Sequence, residues 1–280
     1  MSLGQVALLF LLQTACGSLL TFAISDRAAL GPKYFKFGGW VLLGLYGLAG
    51  ALVWPSALAD GASQAARGLG LVLALAAATL LVFASASGWA GALLEGVLLW
   101  LAIAAGAASL ALAVMLTGPG AGALAGLALW LALLSALTGA LVLGFTTWGM
   151  ILGHWYLVSQ GLSISHLARL VRPLPWLLLL KAAVSGVALW LLWPVFLGPG
   201  NSDLTQLMAN QPHRVLDIVN VWARIPVGLL LPALLAGMTL VTVRLGKTQP
   251  ATGILYAMCV LVYLGELMGK MVEGGTGVPL

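Results

Sequence analysis

The side chains able to do chemistry are few and sit inside apolar runs, where an ionisable group is costly and therefore rare. His154 lies in TTWGMILGHWYLVSQG. Ile151, Met150 and Thr147 share its helical face by the i−3, i−4 and i−7 relations, and Trp148, Trp155 and Tyr156 flank it in sequence. A neutral imidazole offers one donor and one acceptor, which suits a quinone or quinol oxygen, and it exchanges protons near neutral pH. It equally suits haem iron, but a bis-histidine haem b needs a second imidazole at the same depth, and only His166 and His213 remain. His166 falls in the amphipathic SISHLARL and His213 at the opposite side of the expected topology. Quinone contact therefore ranks above haem ligation, with an interfacial histidine in an aromatic belt as the purely structural alternative.

Glu95 and Lys181 each stand a few residues inside an apolar run, at the same expected level as His154. They either pair with one another, or Lys181 lays its stem along lipid and carries its ammonium to the interface. Arg224 opens VWARIPVGLLLP ahead of Pro226 and Pro232. The last apolar run, GILYAMCVLVYLGELMGKMVEGG, places Tyr256, Cys259, Tyr263, Glu266 and Lys270 on one side at three- and four-residue steps. Consecutive spans are often neighbours, so Arg224 is expected to meet Glu266, with Tyr263 lining a quinol pocket or proton path beside them. Lys270, four residues after Glu266, is expected as a weak ion pair near the membrane boundary. The candidate catalytic set is thus Glu266, Arg224, Glu95 and Lys181. The candidate cofactor-binding set is His154, Thr147, Trp155 and Tyr263, and no metal site is expected.

The elements that must position these residues follow from composition. Hydrophobic residues make up 62% of the 280 and charged residues only 7%, against about 25% charge in a soluble domain. Eight apolar segments can be drawn at about 4–25, 36–57, 67–87, 90–116, 121–157, 175–197, 221–243 and 251–272, each near or above the roughly 20 residues that a bilayer requires. The fold expected is an all-α, polytopic transmembrane bundle forming a single domain over 1–280. A loop at 198–220 carries short amphipathic helices, one of them capped at Ser202 or Asp203. The third and fourth segments meet within SASGWAG, which leaves a re-entrant pair or a seven-span layout as the alternatives. The first segment has no basic n-region and is read as a span, not a cleaved signal.

Arg27, Lys33, Lys36, Arg169, Arg172, Arg244 and Lys247 fall on one side of this layout, and Arg67 and Arg214 on the other, near Asp60, Asp203 and Asp217. The positive-inside bias places the first set in the cytoplasm and both termini outside it, in a bacterial-type inner membrane. The net charge of +5 is scattered over short connections and supports no nucleic-acid surface. Cys16 and Cys259 lie inside apolar runs, and no phosphate loop, HExxH, zinc cysteine cluster or GxSxG elbow occurs.

These residues favour an integral-membrane subunit of a respiratory or other electron-transfer complex. It would anchor membrane and peripheral redox partners among lipids and contribute to quinone binding or proton transfer. A proton-coupled secondary transporter and a purely structural assembly subunit are the alternatives. In size and topology the layout is similar to the quinol-interacting anchor subunits of some molybdopterin and polysulfide-type oxidoreductases.

Overall fold

The computed structural model describes residues 1–59, 61, 63–89, 91–118, 125–159, 161–198, 201–211 and 214–280. His213 and Asp60 lie outside the described residues. The chain is an all-α bundle, and among the described residues eight helices or helix tandems are long and apolar enough to span a membrane. The first four are α1 (Leu3–Ile24), α2 (Arg27–Ala57), α3 (Gln64–Ala86) and α4 (Ala92–Thr117). The fifth is α5 (Ala125–Val158). The sixth joins α6 (Ser165–Val171) to α7 (Leu174–Leu191), and the short helices α8 (Trp193–Leu197) and α9 (Leu204–Asn210) follow. The seventh span is α10 (Val215–Arg224), a π-helical turn (Ile225–Leu230) and α11 (Leu231–Arg244), and the eighth is α12 (Thr248–Thr276).

Local chemistry sets the ends of these helices. Ser2 and Gln5 form a reciprocal capping box on α1, and Asp26 accepts from the amides of Ala28 and Ala29 at the start of α2, so free N–H groups are satisfied where each helix begins. Ser63 caps α3 and Asp203 caps α9. Gly31, at φ +74°, breaks the helical path just before Pro32. A side chain is disfavoured at that φ, and a short entry turn from Arg27 therefore precedes the span proper. Gly88, at φ +101°, turns the chain between the helices α3 and α4.

Two features of the long helices that the apolar segments did not mark matter for the site. The sixth span begins at Ser165, ten residues before the expected 175, because SHLARLV is already helical and buries Leu167, Leu170 and Val171. In the seventh span Pro226 lies in the first part of the π-helical turn and Pro232 just after it. Each proline lacks an N–H and crowds the carbonyl four residues back, and one wider turn relieves both conflicts.

The bundle is built around α1, which packs against α5, α4, α2 and α12. Its hydroxyls are satisfied within the helix: Thr14, Ser18 and Thr21 donate to the carbonyls of Phe10, Thr14 and Ser18. The crossing of α1 on α5 is backbone against backbone. A Cβ on Gly144 would overlap the main chain of Gly17, and one on Gly17 would overlap the carbonyl of Ala140. The Met1 amino group donates to the Gly274 carbonyl at 2.8 Å, which fixes the start of α1 beside the end of α12. This end of the bundle is called the terminal end below, and the other the far end. Trp148 is not a belt residue: it is 1% exposed and lies with its ring 4.4 Å from that of Phe22.

Candidate functional site

Antiparallel packing of α5 and α12 turns the polar stripe of α12 into a ladder. Near the far end, Nδ1 of His154 and the hydroxyl of Tyr256 lie 3.3 Å apart. Seven residues along each helix, the hydroxyls of Thr147 and Tyr263 lie 2.8 Å apart, and the edge of the Phe10 ring packs against Tyr263. Seven residues correspond to about 10 Å of rise. One turn further along α12, Glu266 enters a cluster of charges drawn from α7, α10 and α12, with Ser135 of α5 beside it.

Glu266 is 4% exposed, with Lys181 Nζ 3.4 Å from its Oε2 and Arg224 Nη2 3.4 Å from its Oε1. Lys181 is fully buried and uses all three of its donors. It bonds the Ser135 carbonyl at 2.8 Å, the Ser135 hydroxyl at 2.9 Å and the main-chain oxygen of Leu280 at 3.2 Å. Ser135 in turn donates to Leu280 at 2.7 Å. Lys270 and Glu273, both buried, form their own pair at 2.6 Å. Three cations and two carboxylates thus share one desolvated region. The two acids differ sharply: Glu273 is held by a short charge-assisted bond, whereas Glu266 has two cations at long range and an Oε2 with no hydrogen bond.

Glycines make room for this cluster. A Cβ on Gly139 would lie 2.5 Å from Glu266 Oε2 and 2.7 Å from Gln13 Nε2, and one on Gly269 would run into the Arg224 guanidinium. Gly228 of the π-helical turn meets Gly265 main chain to main chain. That contact brings Arg224, just before the turn, against Glu266, just after Gly265. The expected Arg224–Glu266 pairing is present with this geometry.

Other expectations are corrected. Lys181 does not lie level with Glu95 or His154, and it does not reach the interface. Because its span begins at Ser165, it is sixteen residues in, beside Ser135 and Glu266. Glu95 pairs instead with Arg27 at 3.1 Å and accepts from the Gly88 amide at 2.9 Å, tying the start of α2 to the α3–α4 turn. Arg27 also lies over the Phe35 and Phe83 rings, an arrangement suited to holding helices. Lys270 pairs with Glu273 and not with Glu266, and both side chains are buried. Trp155 is not brought to His154: its ring packs on Tyr34 and near Phe37 of α2, while His154 faces α12. Consecutive residues point about 100° apart on a helix, so sequence neighbours need not share a site.

Gln13, Ser135 and Glu273 were not among the expected site residues. Gln13 is fully buried on α1, its amide donating to the Ala136 carbonyl at 3.0 Å while its Oε1 has no partner. The available signal was a lone amide in an otherwise apolar stretch, VALLFLLQTA. Arg224 Nε and Nη1 and Glu266 Oε2 also lack hydrogen bonds. Buried polar atoms left over by the protein are the usual places for internal water.

Among the described residues, no three His, Cys, Asp or Glu side chains converge as metal ligands would. No family model, curated protein or solved structure matches this chain. The function must therefore be argued from the residues themselves.

Proposed function

We propose that this polytopic membrane protein is a proton-transfer subunit of a membrane-embedded electron-transfer complex, with Glu266 as the group that exchanges the proton. The observation that carries the reading is the state of Glu266: a buried carboxyl between two cations at 3.4 Å, one oxygen of which has no hydrogen bond. Burying a charge is costly unless it is well paired and well hydrogen-bonded. Glu266 is paired, but only one of its two oxygens is hydrogen-bonded. A group of that kind is suited to gain and lose a proton.

The ladder supplies the route. His154 with Tyr256 is the entry at the far end, which the distribution of basic residues assigns to the cytoplasm. Thr147 with Tyr263 is the next step, followed by Glu266. Lys181 and Arg224 hold the carboxylate in place between transfers, and the Lys270–Glu273 pair stabilises the terminal end. Quinone or quinol binding at His154 is compatible with this role, since its imidazole stands at an exposed position beside a second hydroxyl. Placement in an electron-transfer complex rests on the size and span layout of the chain. A proton-coupled transporter would use the same groups.

The test is isolation of the native assembly with gentle detergent, identification of co-purifying chains and bound quinone, and measurement of proton transfer after reconstitution. Glu266→Gln is expected to assemble with its partners and lose proton transfer. Full proton transfer in that variant would refute the role of Glu266. Substrate uptake by the chain alone would replace the complex-subunit reading with the transporter.

A further inference from the structure

We propose that Gln13 is a positioning residue for Glu266, its amide nitrogen serving the charged carboxylate. The inference rests on the proton-transfer reading above and adds to it a residue on a third helix. Gln13 reaches from α1 to the same notch that Glu266 fills from α12. The site of a Cβ on Gly139 lies 2.7 Å from the nitrogen of one and 2.5 Å from an oxygen of the other. The bond to the Ala136 carbonyl fixes which end of the amide is nitrogen and uses one of its two hydrogens, leaving the second for the carboxylate.

Gln13 Oε1 and Glu266 Oε2 are both buried acceptors without a donor. The amide hydrogen not used by Ala136 is a donor that can turn to Glu266 Oε2 when the carboxyl is ionised. The amide itself neither gains nor loses a proton.

The experiment is infrared titration of the purified assembly, with the Glu266 acid carbonyl band identified by its loss in Glu266→Gln. Gln13→Leu removes a hydrogen bond from the charged form alone and is expected to move the titration midpoint of that band by about one pH unit. Proton transfer is expected to fall about tenfold. Gly139→Ala, which forces a methyl between the two groups, should give the same shift if Gln13→Leu does not accumulate. An unchanged midpoint in either variant would overturn the proposal. A band that responds to Gln13 in a protein that transfers no protons would retain the positioning role and reject the proton-transfer function.

Discussion

The hydroxyls of Thr147 and Tyr263 lie 2.8 Å apart between α5 and α12, while Thr147 also bonds the Leu143 carbonyl of its own helix. Thr147 therefore donates to the Leu143 carbonyl and accepts from Tyr263, and the relay proposed through this pair requires Thr147 to exchange its helix bond for one to Tyr263.

Tyr263→Phe retains the ring packed against Phe10 and removes only the hydroxyl. Expected is a loss of about 1 kcal/mol in stability and a large fall in proton transfer, read by thermal melting in detergent and by flux after reconstitution. Thr147→Val should add little to Tyr263→Phe, since both remove the same link. Additive losses of flux would separate the two hydroxyls.

Removing Glu266 alone should cost more than removing it together with Lys181. Glu266→Gln leaves three buried cations facing one carboxylate, at an expected cost of about 3–5 kcal/mol, whereas Lys181→Met leaves two of each sign and should cost less. The double variant removes one charge of each sign and is expected to recover a good part of that loss. Melting temperatures of the three variants in a double-mutant cycle check this. By contrast Arg27→Gln, at the partly exposed pair with Glu95, is expected to cost about 1 kcal/mol or less.

The crossing of α1 and α5 admits no side chain. Gly144→Ala places a methyl on the Gly17 main chain and should lower stability by about 1–3 kcal/mol or more, seen as reduced accumulation in the membrane. Gly44 is exposed on α2 with nothing near its Cβ position. Gly44→Ala should accumulate at wild-type level or above, through the better helix propensity of alanine.

Sidedness is testable with single cysteines, because Cys16 and Cys259 are both buried and give little background. In intact cells Ser202→Cys is expected to react with a membrane-impermeant thiol reagent, and Lys247→Cys only after lysis; both positions are exposed. The reverse pattern would invert the route proposed for protons.

Much of the fold was legible because its signals are local. Apolar runs of the right length gave the eight long helices, and three- and four-residue spacing put Tyr256, Tyr263 and Glu266 on one side of α12. Arg224 and Glu266 were expected to meet because they lie on consecutive spans. The depth of Lys181 was not legible, since it depends on where its helix starts. SHLARLV has the composition of a surface segment, yet it forms the first turns of the span. Gln13 gave only a faint signal, because one amide in an apolar run does not say which helices surround it.

The sequence by itself determined the environment, the number of long helices and the polar stripe of α12, since hydrophobicity and helical period are properties of each segment alone. The tertiary structure decided which groups share the buried site. It moved Lys181 from Glu95 to Glu266, gave Lys270 to Glu273, and brought Gln13 of α1 to a carboxylate 253 positions away in the chain. Those choices depend on helix crossings at Gly17, Gly144, Gly228 and Gly265. Close approach there is a property of two helices together, and neither helix carries it in its own sequence.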